Sequence, residues 1–274
     1  MLSNTTKRIL SALVLLASVS ISIYYGKKSL MVFMLIFGAI AVDEIFCNIF
    51  KKNRISLFYF IAQAIFFIPF CYFNFLDFTP DMHYAIVNLG LVLNALLFVY
   101  LFYLPIESKT FEDISKSMPF LGGVLVVLPM ISIANILHYG EWRMFIFILG
   151  GVNFGMDTGA WFFGKKYGKH KLWEKVSPKK TIEGLLGGMF TSGILGTLLW
   201  NLLIGRPKPY LFLLFCLLGV LSQIGDLIQS KIKRQFKIKD SSSLIPGHGG
   251  VYDRIDSLLY TAPFFSVVLK YYYY

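Results

Sequence analysis

The segment Ser230–Asp256, SKIKRQFKIKDSSSLIPGHGGVYDRID, is the most informative part of this chain. It combines six lysine and arginine residues with a Pro-Gly-His-Gly-Gly turn, and it ends in an Asp-Arg-x-Asp sequence. Apolar segments flank it on both sides. Cations and carboxylates next to a membrane are the groups that bind metal ions and phosphates, so the segment predicts such a site at a lipid surface.

The composition around this segment is that of a membrane protein. The chain has 274 residues, of which 56% are hydrophobic and 15% are charged, whereas soluble proteins carry about 25% charged residues. The three cysteines stand apart in apolar runs, which excludes a disulfide framework and a zinc knuckle. The start of the chain also has the pattern of a secretory signal, but the apolar segments that follow favour a first membrane helix.

Apolar runs of about 20 residues predict an all-α, polytopic transmembrane helical bundle with about nine spans. We expect one membrane-embedded unit, with N-terminal transmembrane helices in 1–140 and a catalytic part in 141–274. The predicted spans are 9–25, 29–50, 55–75, 84–104, 118–138, 143–163, 184–204, 209–228 and 254–270.

The basic residues predict the orientation of these spans. With the N-terminus in the cytoplasm, twenty of the 26 lysine and arginine residues lie in cytoplasmic segments, as the positive-inside rule requires. We therefore expect an N-in, C-out topology. The net charge of +11 is then a topology signal, and nothing in it indicates a nucleic-acid partner.

Several of the 15 acidic residues lie near the predicted cytoplasmic ends of spans. Ionisable groups in a bilayer usually face a bundle interior or a wet cavity, which favours a functional role for Asp157, Asp226 and Asp253. Asp43 and Glu44, at the end of the second predicted span, fit a functional role and interfacial pairing with a lysine equally well.

The end of the eighth predicted span carries polar residues at helical spacing. Asp226, Ser230, Lys233 and Arg234 stand at i, i+4, i+7 and i+8, so they share one face if the helix continues past the membrane. An acid, a hydroxyl and two cations on one stripe can hold a divalent metal and the phosphates that it neutralises. The alternative is a solvated helix end, which accounts well for Lys231 and Lys237 but poorly for Asp226.

The glycine-rich turn 246–250 follows this stripe. Its glycines permit positive φ, and its amides can form an anion-binding nest, although an ordinary turn between helices is the alternative. Asp253 and Asp256 stand at i and i+3 of the next helix and can share a metal with Asp226. Acidic residues there also suit the positive end of the helix dipole.

A second lysine-rich loop, 157–184, lies on the same predicted side. Its lysines fit a positive-inside flank or a binding surface for anionic headgroups. Gly151, Gly155 and Gly159 just before it form a small-xxx-small ridge, which predicts close helix packing. The sequence has no P-loop, His-Glu-x-x-His or Gly-x-Ser-x-Gly motif, so a nucleotide reaction would rest on metal and scattered cations.

The segment 230–256 resembles the signature of the phosphatidate cytidylyltransferases. That pattern is Ser-x-hydrophobe-Lys-Arg, four residues, Lys-Asp, and after a short spacer Pro-x-His-Gly-Gly-x-x-Asp-Arg-x-Asp. The likeness covers residues 150–270. Outside that range, Glu44 is the counterpart of an acidic residue that the family carries early in the chain. The departures are Trp161 and Ile182, which stand where other aromatic residues are common in the family. Similar motifs stand upstream at Gly225-Asp226, Asp157–Gly164, Tyr167–His170 and Ser177–Gly184.

This resemblance implies that CTP and phosphatidate react to CDP-diacylglycerol and pyrophosphate, with Mg²⁺ as cofactor. It further implies a bacterial inner membrane protein with the site facing the cytoplasm and with membrane lipids as partners. A second cation and a homodimer are left open. The implied metal ligands are Asp226, Asp253 and Asp256, the implied catalytic residues are Ser230, Lys233, Arg234, Lys239, Asp240, His248 and Arg254, and the implied substrate-binding residues are Asp157, Lys180, Glu183, Gly249 and Gly250.

Three other functions are alternatives to this one. An enzyme that uses CTP on another lipid phosphate or a lipid alcohol would need a similar metal site. An ion-coupled transporter would bind its ion at Asp157 and Asp226, but the charges gather at one face rather than at the membrane midplane, where transporters bind. A scaffold without activity is disfavoured because the signature is intact.

Overall fold

A computed structural model describes residues 4–76 and 80–273 of the protein. The named elements of this part of the chain are helices apart from one short β-hairpin, and π-helical turns (Glu44–Ile49 and Tyr72–Leu76) extend α2 and α3. The elements are α1 (Asn4–Tyr25), α2 (Lys27–Asp43), α3 (Leu57–Cys71), α4 (Pro80–Tyr103), α5 (Thr110–Ser117), α6 (Leu121–Ile136), α7 (Trp142–Tyr167), β1 (Lys171–Trp173), β2 (Ser177–Thr181), α8 (Ile182–Leu203), α9 (Leu211–Gln235) and α10 (Tyr252–Tyr272).

Seven helices in the described ranges are long and apolar enough to cross a membrane. An eighth span results if α5 and α6, which are bent by 96° against each other, are counted as one. The chain is therefore an integral membrane protein, and the predicted all-α, polytopic fold is confirmed. The number of spans is seven or eight by length and composition, compared with the nine predicted.

Helix α10 is the predicted span that is not apolar enough for this count. Its first turn is charged, and polar residues continue along it. These polar side chains bond inside the protein: the Tyr260 hydroxyl donates to the Asn94 carbonyl at 3.1 Å, and the Ser266 hydroxyl accepts from the Asn135 amide at 2.8 Å. Because their partners are protein groups, the polar side chains of α10 do not have to be solvated.

Helices α7 and α8 pack through the predicted glycine ridge. A Cβ atom added at Gly155 would lie 3.4 Å from the Cα of Ser192, and one added at Gly159 would collide with the Thr191 side chain. The contact is reciprocal, since a Cβ atom at Gly188 would lie 2.6 Å from the Met156 carbonyl. The predicted small-residue packing is thus confirmed, and it sets the β1–β2 hairpin between two closely packed helices.

The chain forms two compact units, each made of three segments, and four of the five boundaries fall inside α4, α6, α9 and α10, while the fifth lies between α4 and α5. The division into 1–140 and 141–274 stays a prediction. The first unit comprises Met1–Gly90, Glu107–Ala134 and Ile232–Ile255, and the second comprises Leu91–Ile106, Asn135–Lys231 and Asp256–Tyr274.

Candidate active site

Asp226 is the centre of a polar cluster in the second unit, which we call the Asp226 cluster (Lys180, Asp226 and Ser230). The Lys180 ammonium lies 2.6 Å from Asp226 Oδ2, and the Ser230 hydroxyl donates to Asp226 Oδ1 at 3.1 Å. The two charged side chains are 19% and 30% exposed. Lys180 comes from β2 and the other two residues from α9, so the hairpin brings a cation to a carboxylate at the end of a membrane helix.

Gly225 brings α10 against α9 beside this cluster. A Cβ atom at Gly225 would lie 2.5 Å from Tyr260 Cβ and 3.3 Å from the Asp256 carbonyl oxygen, so the two helices approach closely there. The Asp256 carboxylate accepts from its neighbour, the Ser257 amide, at 2.8 Å. Asp226 and Asp256 therefore lie on neighbouring turns of two helices in contact.

The oxygen donors of the second unit fit Mg²⁺. Among the described residues no three His, Cys, Asp or Glu side chains come together as a preformed metal cage. Magnesium usually takes one or two protein carboxylates and completes its shell with water and substrate phosphates. Asp226, Asp256 and the Ser230 hydroxyl provide hard oxygen ligands of this kind, and the ammonium of Lys180 already balances the charge of Asp226.

Asp253 lies in the first unit, in what we call the signature-loop cluster (Lys233, Ser241, Gly250 and Asp253). Its Oδ1 atom accepts from Lys233 Nζ at 2.6 Å. Its Oδ2 atom accepts from the amides of Ser241 at 2.7 Å and Gly250 at 2.9 Å. Burial alone would raise the pKa of Asp253, but the charge of Lys233 and these hydrogen bonds outweigh it and lower the pKa, so the carboxylate is ionised.

One amide of the predicted anion nest, that of Gly250, and the two amides that follow the turn are bonded to carboxylates of the protein. The Gly250 amide donates to Asp253, and the amides of Val251 and Tyr252 donate to Glu44 at 3.0 and 2.8 Å. The glycine-rich turn is consequently held from inside by two acidic side chains. These three amides are therefore occupied, and the groups near the turn that an anion can reach are exposed cations such as Lys239 and Arg254.

Helix α1 contacts the glycine-rich turn directly. The Ser11 hydroxyl lies 2.7 Å from His248 Nδ1, and Arg8 Nε donates to the Gly247 carbonyl at 3.0 Å. Gly247 and Gly249 have φ of 78° and 84°, the left-handed region that glycine occupies without strain. Burial, followed by the charges of Arg254 and Arg8, lowers the pKa of His248, so its imidazole is neutral at pH 7.

The predicted phosphate cations differ in their exposure. Lys233 is buried and paired with Asp253, and the half-buried Arg234 donates from Nη1 to the Ile238 carbonyl at 3.0 Å. Lys239 and Arg254 are exposed, as is Asp240. The exposed cations are the ones that an incoming polyanion meets first.

The hairpin next to the Asp226 cluster is closed by Glu183. The Glu183 carboxylate accepts from the amides of Lys169 at 3.1 Å and His170 at 3.2 Å, and its Oε1 atom lies 2.6 Å from His170 Nδ1. Thr181 caps α8 by accepting from the Gly184 amide at 3.1 Å. Glu183 thus positions the hairpin that carries Lys180 on β2, while Asp157 is exposed on α7.

Residues 6–272 match the model of the cytidylyltransferase family. The chain belongs to this family. Relatives in the cytidylyltransferase family include the phosphatidate cytidylyltransferase of Bacillus subtilis (strain 168), which is 43% identical over 141 residues, 51% of this chain and 51% of the relative. The phosphatidate cytidylyltransferase of Staphylococcus aureus (strain COL) is 43% identical over 114 residues, 41% of this chain and 44% of the relative. The matches thus span about half the length of these curated relatives.

Sequence reasoning missed several residues of this cytidylyltransferase-family chain that touch the predicted site. Ser241 and Ser242 donate to Glu44, and Arg8 and Ser11 contact the glycine-rich turn. The serine run before the turn is a visible sequence signal for extra hydroxyl donors. The residues of α1 carry no such signal, because they lie more than 230 positions from the turn they contact.

Proposed function

We propose that the chain is a Mg²⁺-dependent phosphatidate cytidylyltransferase, which makes CDP-diacylglycerol from CTP and phosphatidate. The observation that carries the proposal is the Asp226 cluster, in which β2 presents Lys180 to a carboxylate and a hydroxyl of α9. Membership of the cytidylyltransferase family and relatives named phosphatidate cytidylyltransferase support the same reaction.

In the proposed reaction an oxygen of the phosphatidate phosphate attacks the α-phosphorus of CTP. The new P–O bond forms as the bond between the α- and β-phosphates breaks, and pyrophosphate leaves with the electron pair. Two polyanions must approach each other, so positioning and charge neutralisation supply most of the rate enhancement. A Mg²⁺ ion held by Asp226 and Asp256 would provide part of that neutralisation.

The protein's own groups divide the remaining work. In the first unit, Lys239 and Arg254 are exposed cations that can attract a phosphate. In the second unit, Lys180 fixes the direction of the Asp226 carboxylate. Ser230 offers a hydroxyl to a metal or a phosphate oxygen. We further propose that this site faces the cytoplasm of a bacterial inner membrane, since the basic loops lie on the predicted cytoplasmic side.

The test is an assay of purified protein with radiolabelled CTP, phosphatidate and Mg²⁺, scored for a lipid-soluble labelled product. Phosphatidate with α-labelled CTP should give labelled CDP-diacylglycerol, whereas diacylglycerol with γ-labelled CTP, the substrates of a lipid kinase, should give no labelled phosphatidate. EDTA should abolish turnover. Asp226→Asn should lower kcat at least 100-fold, roughly 2.7 kcal/mol in the barrier, while the protein still inserts and purifies. If diacylglycerol with γ-labelled CTP gives a labelled lipid and phosphatidate gives none, the proposal is wrong and the lipid-kinase alternative takes its place.

A further inference from the structure

Glu44 is a buried acidic residue at the end of α2, where the helix passes into a π-helical turn. It is 2% exposed, and Glu and Asp side chains are almost never this buried unless they are fully paired. It belongs to a candidate membrane span, Lys27–Ile49, in which an ionisable group usually has a function. The chemistry assigned above to the Asp226 cluster makes no use of it.

Four donors surround the Glu44 carboxylate, and all of them come from the segment 241–252. Oε1 accepts from the Ser242 hydroxyl at 2.7 Å and the Val251 amide at 3.0 Å. Oε2 accepts from the Ser241 hydroxyl and the Tyr252 amide, both at 2.8 Å. The two oxygens therefore hold both ends of the glycine-rich loop.

The glycine-rich loop ends where α10 begins, so Glu44 also contacts the amino end of α10. Tyr252 is the first residue of α10, so Glu44 places a negative charge at the positive end of that helix and satisfies two amides that have no partner inside the helix. The contact joins residues 208 positions apart in the chain. It fixes where α10 starts, and so where Asp253 and Arg254 in its first turn stand.

Gly250 lets the carboxylate come this close. A Cβ atom at Gly250 would collide with the Ser241 hydroxyl and with both carboxylate oxygens of Glu44. The Ser241 hydroxyl also lies 3.0 Å from Asp253 Oδ2, so it connects the two buried acids. The loop that carries His248 is thus tied down at its beginning by Ser241 and Ser242 and at its end by Gly250 through Tyr252.

We propose that Glu44 is a positioning residue for cytidylyl transfer, which holds the loop 241–252 and the first turn of α10 in the reactive arrangement. This inference rests on the function proposed above. Glu44 does not touch the phosphates in this role. It acts through the loop, so its loss slows turnover by loosening the segment that carries His248 and Arg254.

The test compares Glu44→Gln with Asp43→Asn in the full-length protein. Asp43 is the adjacent acid on the same helix, but its partners are Arg54 at 2.8 Å and Tyr59 at 3.0 Å rather than the loop. Glutamine keeps the shape of glutamate but replaces one acceptor oxygen with a donor, so it cannot accept all four hydrogen bonds. Amide hydrogen exchange and kcat/KM for CTP and phosphatidate are measured on each variant.

For Glu44→Gln we expect at least tenfold faster exchange at residues 250–252, unchanged exchange in α7 and α8, and at least a tenfold loss of kcat/KM, mainly in kcat. Asp43→Asn should stay within threefold of the parent in both measurements. A Glu44→Gln protein with normal loop exchange, or with fast loop exchange and normal kcat/KM, would overturn the inference.

Should Glu44→Gln fail to fold, Ser242→Ala replaces it, because this change removes one donor and leaves the buried charge paired. A threefold or larger rise in loop exchange with a parallel fall in kcat/KM is then expected, and parental values of both contradict the inference. If the parent protein itself transfers no cytidylyl group, the proposed function fails, whereas the exchange comparison still decides whether Glu44 holds the loop.

Discussion

At the scale of single residues, two of the predicted metal ligands each face a lysine, but in different surroundings. In the Lys233–Asp253 pair the side chains are 9% and 4% exposed, whereas those of Lys180 and Asp226 are 19% and 30% exposed. Removing one partner of a buried ion pair leaves an uncompensated charge, which costs about 3–5 kcal/mol, and the cost falls steeply where water reaches the pair.

The two aspartates should therefore differ in what their loss does to the fold. We expect Asp253→Asn to destabilise the protein by about 3 kcal/mol and Asp226→Asn by less than about 1 kcal/mol. Chemical unfolding in detergent micelles, followed by tryptophan fluorescence, measures both. Equal losses of stability would contradict the difference in burial. Because Asp226→Asn should hardly affect stability, a loss of activity in that variant reports on metal binding rather than on unfolding.

Substitution of Arg234 distinguishes two ways in which a cation of α9 can bind phosphate: through the planar shape of the guanidinium group, or through its charge alone. One of its five N–H donors is used by the Ile238 carbonyl, and its planar fork suits a phosphate in a way that an ammonium does not. We expect Arg234→Lys to lower kcat/KM at least tenfold, about 1.4 kcal/mol. Lys237→Arg, a charge-preserving change at an exposed neighbour, should remain within threefold. Steady-state kinetics that find Arg234→Lys unimpaired would reduce Arg234 to a helix anchor.

At the scale of helices, Gly225 determines how closely α9 and α10 approach. Gly225 has no Cβ atom, and its backbone lies against the Cβ atom of Tyr260. That atom is attached to the backbone of α10, so it cannot swing away as the far end of a flexible side chain can. Gly225→Ala should push the helices apart beside Asp226, with at least a tenfold loss of kcat and a lower unfolding temperature. Gly150→Ala is the matched control, since nothing lies within 4 Å of a Cβ atom there and alanine favours the helix. A Gly225→Ala enzyme with parental kcat would contradict the close approach.

Lys231 shows that a lysine at the end of one helix can cap another. It is fully buried, and its ammonium donates to the carbonyls of Tyr100 and Leu101, each at 2.8 Å, and to that of Leu104. The solvated helix end that sequence reasoning allowed for Lys231 is therefore wrong. Its charge complements the carboxyl end of α4 instead.

Replacing Lys231 by methionine should leave these carbonyls of α4 without a donor in a buried setting. We expect a loss of about 2–3 kcal/mol in the free energy of unfolding. The same change at the exposed Lys237 should cost less than about 0.5 kcal/mol. Equilibrium unfolding measures the free energy of unfolding of both variants. Equal values would show that the bonds from Lys231 to the carbonyls of α4 do not stabilise the protein.

At the scale of the whole molecule, the open question that an experiment can decide is the orientation in the membrane. We expect the hairpin loop and the glycine-rich loop to be cytoplasmic, on the count of basic residues. In a cysteine-free background, Lys179→Cys and Leu244→Cys, both at exposed positions, should be shielded from impermeant thiol reagents in intact cells. Lys208→Cys, predicted outside, should label. Labelling of either cytoplasmic position in intact cells would reverse the assignment.

The membrane class and the signature could be predicted from sequence because both are local. Long apolar runs identify spanning helices wherever they occur, and the glycine ridge of α7 predicts its own packing through a four-residue period. The count by length and composition differs from the predicted number of spans at α10 for the converse reason. Hydropathy measures how well a residue suits lipid, whereas the polar groups of α10 are satisfied by Asn94 and Asn135 of the protein.

The sequence by itself determined the class of protein, the family and the set of chemically capable residues. Only the tertiary structure decided which of them pair: Lys180 with Asp226, Lys233 with Asp253, and Glu44 with both ends of a loop about 200 residues away. Helical periodicity places residues a few positions apart on one face, but it carries no information about residues of distant segments. Such partners meet through packing, and for Glu44 and its loop Gly250 makes the contact possible, because a Cβ atom there would collide with Glu44 and Ser241.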